Sequence, residues 1–533
     1  MKQLPKGYMG NILHVDLTNK GYYVESLAPE LARLFFGGRG FGIALLFKHF
    51  SEFEKRGKYQ NAFSEIAPLS ADNPLIISTS PTTGTKMPTA GRFHLNFKSP
   101  LTGGVGSTNS GGFWSVAFKR TGHDVLHITG KAEIPVYLVI SRDKVEFASA
   151  IEFRDSNTKE TTDTLVQRLP KGTRVLAIGQ AGKSGARFAS ITNDKGRSLG
   201  RGGGGAVFGS KNLYAIAVIP DHKISIDVAD AESLNLKNKS GSAFKAKIKL
   251  DVGKFSRKEE YYGSLSSMGS LGLCGMVYHY GQLIHNNMKD TTHRKEDIDK
   301  ITGEALRKHA ANAKPGEPKV TVKKGTCFNC PILCKRKTRV IDGNGYVIDE
   351  GEGPEFETVA LLGANLSIYD LTVITQANYW ANRYGLDTIS LGSTIAAFVE
   401  LYDVVKTKIP GTSESAWDFA LTPGEQQFLE DARSFVEEHG EPAFGKSEML
   451  IPLVHHIGQA TGIGKYLAQG SYRFCERYGH PELSMTVKKQ ELPAYDPRTS
   501  FSQALGYEMS NRGGCHLEGG YTAAQDYCAG YGE

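Results

Sequence analysis

The chain has 533 residues, more than one ordinary hydrophobic core accommodates, and its length therefore indicates two or three domains. With 40% hydrophobic and 22% charged residues, the composition is globular and excludes a fibrous or disordered protein. A net charge of +7 without any tract of five basic residues argues against nucleic-acid binding and suits an anionic cofactor or an acidic partner.

The first residues show no apolar run as long as a signal peptide or a membrane span. The longest early apolar run, 41–47, is followed at once by Lys48 and His49. The sequence therefore predicts a cytoplasmic protein without a membrane span.

Residues 1–225 are predicted to form a β-rich domain. Apolar runs at 12–17 and 136–140 are typical of strands, and Gly, Ser, Thr and Pro recur between such runs.

The rest of the chain is predicted to be mainly helical, because apolar residues are spaced by three and four in 358–384, 394–405 and 448–468. A charged stretch at 235–260 is typical of an exposed connection or an irregular helix. We therefore expect an α+β protein with a β-rich cofactor-binding domain (1–225), a helical middle domain (226–487) and the incomplete start of a C-terminal helical domain (488–533).

Glycine-rich loops punctuate the predicted β domain, at 89–92, 98–103, 109–112 and 196–211. Clustered backbone N–H groups beside an arginine form concavities that bind phosphate. The Walker pattern fails because 209–211 reads Gly-Ser-Lys, and the dinucleotide fingerprint fails at Gly38-Arg-Gly40. A single loop of this kind is usually a connection between strands, but several in one domain favour a large phosphorylated cofactor.

Three of the seven cysteines crowd into Cys327-Phe-Asn-Cys330-Pro-Ile-Leu-Cys334. This C-x2-C-x3-C spacing favours an iron–sulfur cluster. A zinc site and three unpaired structural cysteines are the alternatives, although structural zinc usually requires a second Cys or His pair, which is not nearby. The run supplies only three ligands, so a cluster needs a distant fourth.

A third group of polar residues lies in the helical half. Glu355 and Glu357 precede a helical pattern, where carboxylates complement the helix dipole, and we prefer that role for Glu355. Asp387 suits a helix N-cap, and spacing does not separate that role from ligand binding. His516 follows Arg512 and Cys515 on a Gly-rich loop, where a structural and a functional histidine are equally open.

In this order the motifs resemble the aldehyde:ferredoxin oxidoreductase family of tungsten bis-pterin enzymes. The resemblance covers essentially the whole chain and includes Gly-Asn-Ile-Leu-His-Val-Asp-Leu-Thr at 10–18, Gly-Gly-Arg-Gly at 37–40, 491–498 and 511–516. It implies an N-terminal β base for two molybdopterins that hold tungsten or molybdenum, covered by helical domains.

The resemblance also implies roles for individual residues. Arg92 matches an arginine that bridges cluster and pterin, and Cys327, Cys330 and Cys334 match ligands of a [4Fe–4S] cluster. Glu357 and His516 match the catalytic acid–base pair. The positions that match cofactor contacts, including those to pterin phosphates and their magnesium, are Asn109, Gly111, Arg197, Ser198, Gly200, Asn382, Leu386, Asp387 and Arg512.

Three departures from the family pattern stand out. Asn382 replaces an aspartate, so one charged pterin contact becomes neutral. Gln376 and Ile451 stand where an intersubunit iron would need Glu and His, which predicts a homodimer without that iron. The fourth cluster cysteine is expected beyond Glu533, with the remainder on a longer or separate chain, although Cys515 and Cys528 are possible substitutes.

The implied activity is oxidation of an aldehyde to a carboxylic acid. Glu357 would act as general base and His516 as proton donor or carbonyl polariser. Electrons would leave through the pterin, Arg92 and the cluster to ferredoxin or a ferredoxin-like subunit. The alternatives are a low-potential tungsten reductase subunit of the aromatic acyl-CoA type and a non-catalytic iron–sulfur electron-transfer module.

Overall fold

The computed structural model describes residues 3–234, 265–409 and 421–518. The charged stretch predicted at 235–260 and Cys528 lie outside these residues.

Two six-stranded sheets make up the β-rich part, and the strands predicted at 12–17 and 136–140 are β1 and β7. The first sheet contains β1 Asn11–Asp16, β2 Gly21–Ser26, β3 Leu75–Ser78, β4 Phe93–Lys98, β5 Val105–Ser110 and β6 Val125–Thr129. The second contains β7 Val136–Ile140, β8 Val145–Ser149, β9 Arg174–Ala177, β10 Ile191–Asn193, β11 Arg197–Leu199 and β12 Leu213–Val218. One hydrophobic core joins the two sheets.

The two sheets have the same topology. The order β2-β1-β6-β3-β4-β5 of the first is reproduced as β8-β7-β12-β9-β10-β11 in the second. In each sheet the first and sixth strands are parallel and the other neighbours are antiparallel. Each fifth strand leads through a glycine-rich loop to a short helix and a fully buried lysine, Lys119 or Lys211. The β-rich part is therefore a duplicated unit.

Helices accompany both sheets and then dominate the chain. Those before residue 235 are α1 Pro29–Phe35, α2 Arg39–Lys55, α3 Ala62–Glu65, α4 Trp114–Lys119, α5 Thr158–Arg168, α6 Gln180–Lys183, α7 Gly204–Ser210 and α8 Ala231–Leu234. Those of the later part are α9 Leu265–Met268, α10 Cys274–His279, α11 Lys295–Ile298, α12 Gly303–Asn312, α13 Phe356–Leu362, α14 Leu371–Tyr384, α15 Thr388–Lys406, α16 Pro423–His439, α17 Leu450–Gln459, α18 Gly464–Leu467, α19 Ser471–Arg477 and α20 Phe501–Met509.

Two of the continuous helices predicted from spacing are broken. The stretch 358–384 divides into α13 and α14, because Asp370 caps a new helix by accepting hydrogen bonds from the backbone N–H groups of Thr372 and Val373. The stretch 448–468 divides into α17 and α18, because Ala460 takes a left-handed conformation (φ 54°). The third predicted helix, 394–405, lies within α15.

The middle region also contains a sheet that the sequence analysis missed. It consists of the antiparallel strands β13 Lys319–Gly325, β14 Lys335–Ile341 and β15 Val347–Glu352, and a further two-stranded ladder joins β16 Thr486–Val487 to β17 Gln490–Glu491. The middle domain is therefore less helical than predicted. Lysine and arginine in β13 and β14 hid the apolar alternation that usually indicates a strand.

The helix α15 fills the core of the helical part. Among the described residues it alone is long and apolar enough to cross a membrane. However, 83% of its apolar window is buried inside the protein, as in a core helix.

Candidate active site where the two halves meet

The three clustered cysteines lie on the connection between β13 and β14. Asn329 and Leu333 on this connection have left-handed backbones (φ 45° and 57°), which turn the chain sharply. All three thiols are half-buried and free of disulfides. Burial raises the pKa of the Cys334 thiol, and a bound metal ion would be needed to deprotonate it at neutral pH.

The β-rich part supports this cysteine loop from behind. Thr89 N–H donates to the Asn329 carbonyl at 2.9 Å, and Phe328 N–H donates to the Gly112 carbonyl at 3.1 Å. A Cβ atom on Gly111 would lie 2.9 Å from Cys327 Sγ, so glycine is needed for this close approach. Loops that follow β3 and β5 of the first sheet thus place the cysteines.

Arg197 contacts the same loop. Its Nε donates to Cys327 Sγ at 3.3 Å, its Nη2 donates to the Thr326 carbonyl, and its Nη1 lies 3.4 Å from Glu352 Oε1. The Arg197 side chain is only 7% exposed. Arg197, expected as a pterin-phosphate contact, therefore holds the cysteine loop through hydrogen bonds to Cys327 Sγ and to the Thr326 carbonyl.

A cluster of positive charge surrounds His94 on β4. Arg92 donates to Asn109 Oδ1 across the β4–β5 pair. Burial and the nearby guanidinium groups of Arg39, Arg92 and Arg512 lower the pKa of His94 to about 4. Three arginines near a neutral histidine suit phosphate, and Glu518 pairs with two of them, Arg39 at 2.8 Å and Arg512 at 3.3 Å. The sequence analysis had not singled out Arg39 or His94, although Arg39 stands in the Gly-Gly-Arg-Gly motif.

Glu357 and His516 face each other at the other end of the site. Glu357 occupies the first turn of α13, and its Oε2 accepts a hydrogen bond from Ala494 N–H at 3.0 Å. His516 Nδ1 lies 3.7 Å from Glu357 Oε1, and the side chains are only 20% and 14% exposed. Both facing atoms are buried without a hydrogen-bond partner among the described residues.

Burial sets the protonation of this pair. It raises the pKa of Glu357 to about 7, with the nearby Arg201 charge and the Ala494 N–H acting in the opposite direction. It lowers the pKa of His516 to about 3, and the charges of Arg201 and Arg512 lower it further. At neutral pH the imidazole is therefore neutral, and the carboxyl group is close to its midpoint.

Arg201 links the glycine-rich loop at 196–211 to the helical part, a role that the sequence analysis missed. This buried guanidinium donates to Asp387 Oδ2 at 3.2 Å and to the carbonyls of Gly514 and Glu491. Asp387 is also the N-cap of α15, as its sequence position predicted. The sequence signal for this role was an arginine inside the glycine run 200–205. A guanidinium enclosed by such a loop requires an acidic partner, which here is Asp387.

The remaining predicted contacts surround these groups. Asn382 donates to the carbonyl of Asn378 at 2.9 Å, and Leu386 is buried. Arg512 is buried 3.3 Å from Glu518. Ser198 is half-buried on β11, and a Cβ atom on Gly200 would meet nothing within 4 Å. The half-buried Gly200 therefore borders open space.

The donor set at this junction fits a large polar cofactor. Buried polar atoms without a partner among the described residues include Ser190 Oγ, Asn193 Oδ1, Glu352 Oε2, Glu357 Oε1 and His516 Nδ1. Leaving such atoms unpaired is costly, so a group with several acceptors and donors would satisfy them. A cleft of 460 Å³ beside Asn382 and Glu352 is lined mainly by the sheet β13–β15 and does not include Glu357 or His516.

Cys515 belongs to the Glu357 end rather than to the cysteine loop. It is fully buried, and its Sγ accepts from Leu517 N–H at 3.4 Å. Its side chain lies close to the Arg201 guanidinium. The identity of the fourth cluster ligand stays a prediction.

Comparison with known proteins finds the same family in both halves of the chain. The N-terminal domain of aldehyde ferredoxin oxidoreductase matches residues 12–220, and its domains 2 and 3 match residues 247–532. The tungsten-containing aldehyde ferredoxin oxidoreductases of Pyrococcus abyssi and Pyrococcus furiosus are each 36% identical over 96% of this chain and 74% of their own length.

A solved structure shares the fold. The active-site complex BamBC of benzoyl coenzyme A reductase aligns with a TM-score of 0.70 at 23% identity, covering 92% of this chain and 67% of that one. The chain therefore belongs to the aldehyde ferredoxin oxidoreductase family, and it is an oxidoreductase of that tungsten-containing family.

Proposed function

We propose that this chain oxidises an aldehyde to a carboxylic acid in the cytoplasm at a tungsten bis-pterin centre. The electrons would pass through a [4Fe–4S] cluster to ferredoxin or a ferredoxin-like protein. The observation that carries this proposal is the buried pair of Glu357 and His516, whose facing atoms lie 3.7 Å apart and have no hydrogen-bond partner among the described residues. A carboxyl group whose pKa is about 7 is well matched to general-base catalysis at neutral pH.

The chain's own residues would hold the cofactors. Arg39 and Arg512 beside His94, together with Asn109, would hold pterin phosphates, and Arg92 would lie between pterin and cluster. When bound, the tungsten–pterin group supplies a two-electron acceptor. Cys327, Cys330 and Cys334 would supply three thiolates to a cluster that passes on one electron at a time.

Glu357 and His516 would handle the protons. Oxidation of an aldehyde with water yields a carboxylic acid, two protons and two electrons, so one group must accept a proton. Glu357 Oε1 would take that proton from water or from the hydrated aldehyde. Because His516 is neutral at pH 7, it would donate a hydrogen bond to the substrate oxygen, which favours the polarising role over that of a charged acid.

The surface beside the cysteine loop suits an acidic electron acceptor. Lys323 and Lys337 lie directly opposite each other on β13 and β14, and Lys324 and Lys86 are exposed nearby. Like charges opposite each other across a sheet are destabilising, and an acidic partner would neutralise them. Lys323→Glu with Lys337→Glu should weaken ferredoxin-coupled turnover and its salt dependence, with dye-coupled turnover unchanged.

Anaerobically purified protein tests the whole proposal. Tungsten, molybdenum and pterin would be quantified, and dye reduction would be followed with aldehydes and with acyl-CoA thioesters. Aldehyde-dependent reduction supports the proposal, whereas thioester-dependent turnover alone would assign the chain to a reductase of the acyl-CoA type. A cluster without tungsten or pterin would instead indicate an electron-transfer module.

A further inference from the structure

Two histidines and a glutamate converge at a corner of the helical part. Glu438 and His439 end α16, and His456 lies on α17. One ligand atom of each residue lies within 4.8 Å of those of the other two. Glu438 Oε1 is 3.6 Å from His439 Nε2, close to the roughly 3.3 Å that separates ligands in a tetrahedral zinc site.

The two imidazoles are held in place by their surroundings. The buried ring of Phe435 packs against His439 at 4.8 Å and against His456 at 5.6 Å between ring centroids. His456 Nδ1 lies 3.3 Å from both the carbonyl oxygen and the hydroxyl of Thr461, and in one tautomer it donates to the carbonyl. The lone pair is then on Nε2. Metal-binding histidines are commonly oriented in this way, by a hydrogen bond from the other ring nitrogen to a carbonyl.

From this geometry we propose that Glu438, His439 and His456 bind a divalent transition metal ion, with Zn²⁺ the best fit. Two imidazoles and one carboxylate are ligands that zinc prefers, and water would complete the coordination. The ion would join the C-terminal end of α16 to α17. This site shares no residue with the cysteine loop or with the pocket around Glu357 and His516. It also differs from Gln376 and Ile451, the positions expected for an intersubunit iron.

The experiment measures zinc bound to the full chain. Chelator-treated, reduced protein would be dialysed against Zn²⁺, with parent, His439→Asn, His456→Asn and the exposed Glu438→Gln compared. His279→Asn, an exposed histidine on α10, is the matched control. Since the free thiols of the cysteine loop would also take up zinc, the readout is the difference between proteins.

We expect each of the two histidine variants to bind one zinc ion fewer than the parent and the control. Affinity at that site should fall more than about 100-fold, since even loss of an outer partner costs 10–100-fold. Zinc should also raise the thermal unfolding midpoint of the parent and of His279→Asn more than that of His456→Asn.

Equal zinc content and equal thermal shifts in His456→Asn and His279→Asn would overturn the proposal. If the histidine variants fail to fold, Glu438→Gln decides, because its side chain is 64% exposed and should not disturb packing. Unchanged zinc affinity in Glu438→Gln would then count against the site. Cobalt binding without a thiolate charge-transfer band would confirm that the lost ion is not held by cysteine.

Discussion

The cysteine loop and the Glu357 pocket lie at opposite ends of one site and are assembled in different ways. The cysteine loop takes its three thiols from eight consecutive residues, all half-buried. The Glu357 pocket draws its groups from α13, from 201, from 491–494 and from 512–516, and these side chains are largely buried.

This difference separates two tasks. The cysteine loop presents thiols whose protonation depends on the metal that they receive. The Glu357 pocket fixes its protonation states through burial and through the charge of Arg201. Changes in the loop should therefore alter metal content, whereas changes in the pocket should alter chemistry or stability.

Glu357→Gln should have the largest effect. The amide is nearly isosteric and does not accept the proton, so turnover per tungsten should fall about 10²–10⁴-fold with metal content unchanged. Glu355→Gln is the matched control on the same helix start, because Glu355 is paired with Lys335 outside the pocket. Normal turnover in fully loaded Glu357→Gln would leave Glu357 with a structural role only.

Arg201→Leu should destabilise the fold. It leaves Asp387 buried without its cation, which costs about 3–5 kcal/mol. Arg339→Leu removes an exposed pair with Glu350 and should cost only about 0–1 kcal/mol. Thermal unfolding of both variants provides the comparison, and equal midpoints would show that the buried pair does not hold the two halves together.

The pH dependence of turnover near neutral pH should reflect the ionisation of Glu357 alone. Glu357 is an active base only when deprotonated, so the rate should fall about tenfold per pH unit below a midpoint near 7 and level off above it. His516, with a pKa of about 3, should add no ionisation in this range. A profile without an ionisation near 7, measured with stable protein, would contradict the assignment of Glu357.

Gly111→Ala and Gly200→Ala should affect the retention of different metals, iron in the first and tungsten in the second. The new methyl group at 111 would press on Cys327 Sγ, which should lower iron retention while tungsten is less affected. At 200 the methyl group enters open space that the pterin would occupy under the proposed function, which should lower tungsten and pterin retention with iron unchanged. Iron and tungsten would be measured in both variants after reconstitution. Equal losses of both metals in the two variants would show that the cysteine loop and the space beside Gly200 do not act independently.

Arg92→Ala should have the smallest effect. Its side chain is exposed and donates to Asn109, so loading should be nearly normal while electron transfer from pterin to cluster slows several-fold. Rapid-mixing kinetics of cluster reduction would measure this. Loss of tungsten with unchanged cluster signals would instead make Arg92 a loading residue.

The sequence by itself determined the features that are local in the chain. The cysteine spacing, the Asp387 cap of α15, the strands at 12–17 and 136–140 and the division into a β-rich and a helical part all depend on neighbouring residues. Each follows from backbone periodicity, capping or ligand spacing, which act over a few residues.

Only the tertiary structure decided the rest. The duplicated topology of the two sheets, the burial of Arg201 between Asp387 and the 491–514 segment, and the 3.7 Å approach of His516 to Glu357 join residues far apart in the chain. Two local features were also missed: lysine and arginine interrupt the apolar alternation of β13 and β14, and the Asp370 cap divides an otherwise continuous helical spacing. The pKa values of Glu357 and His516 depend on that burial, so the chemistry of the pocket is a property of the folded chain.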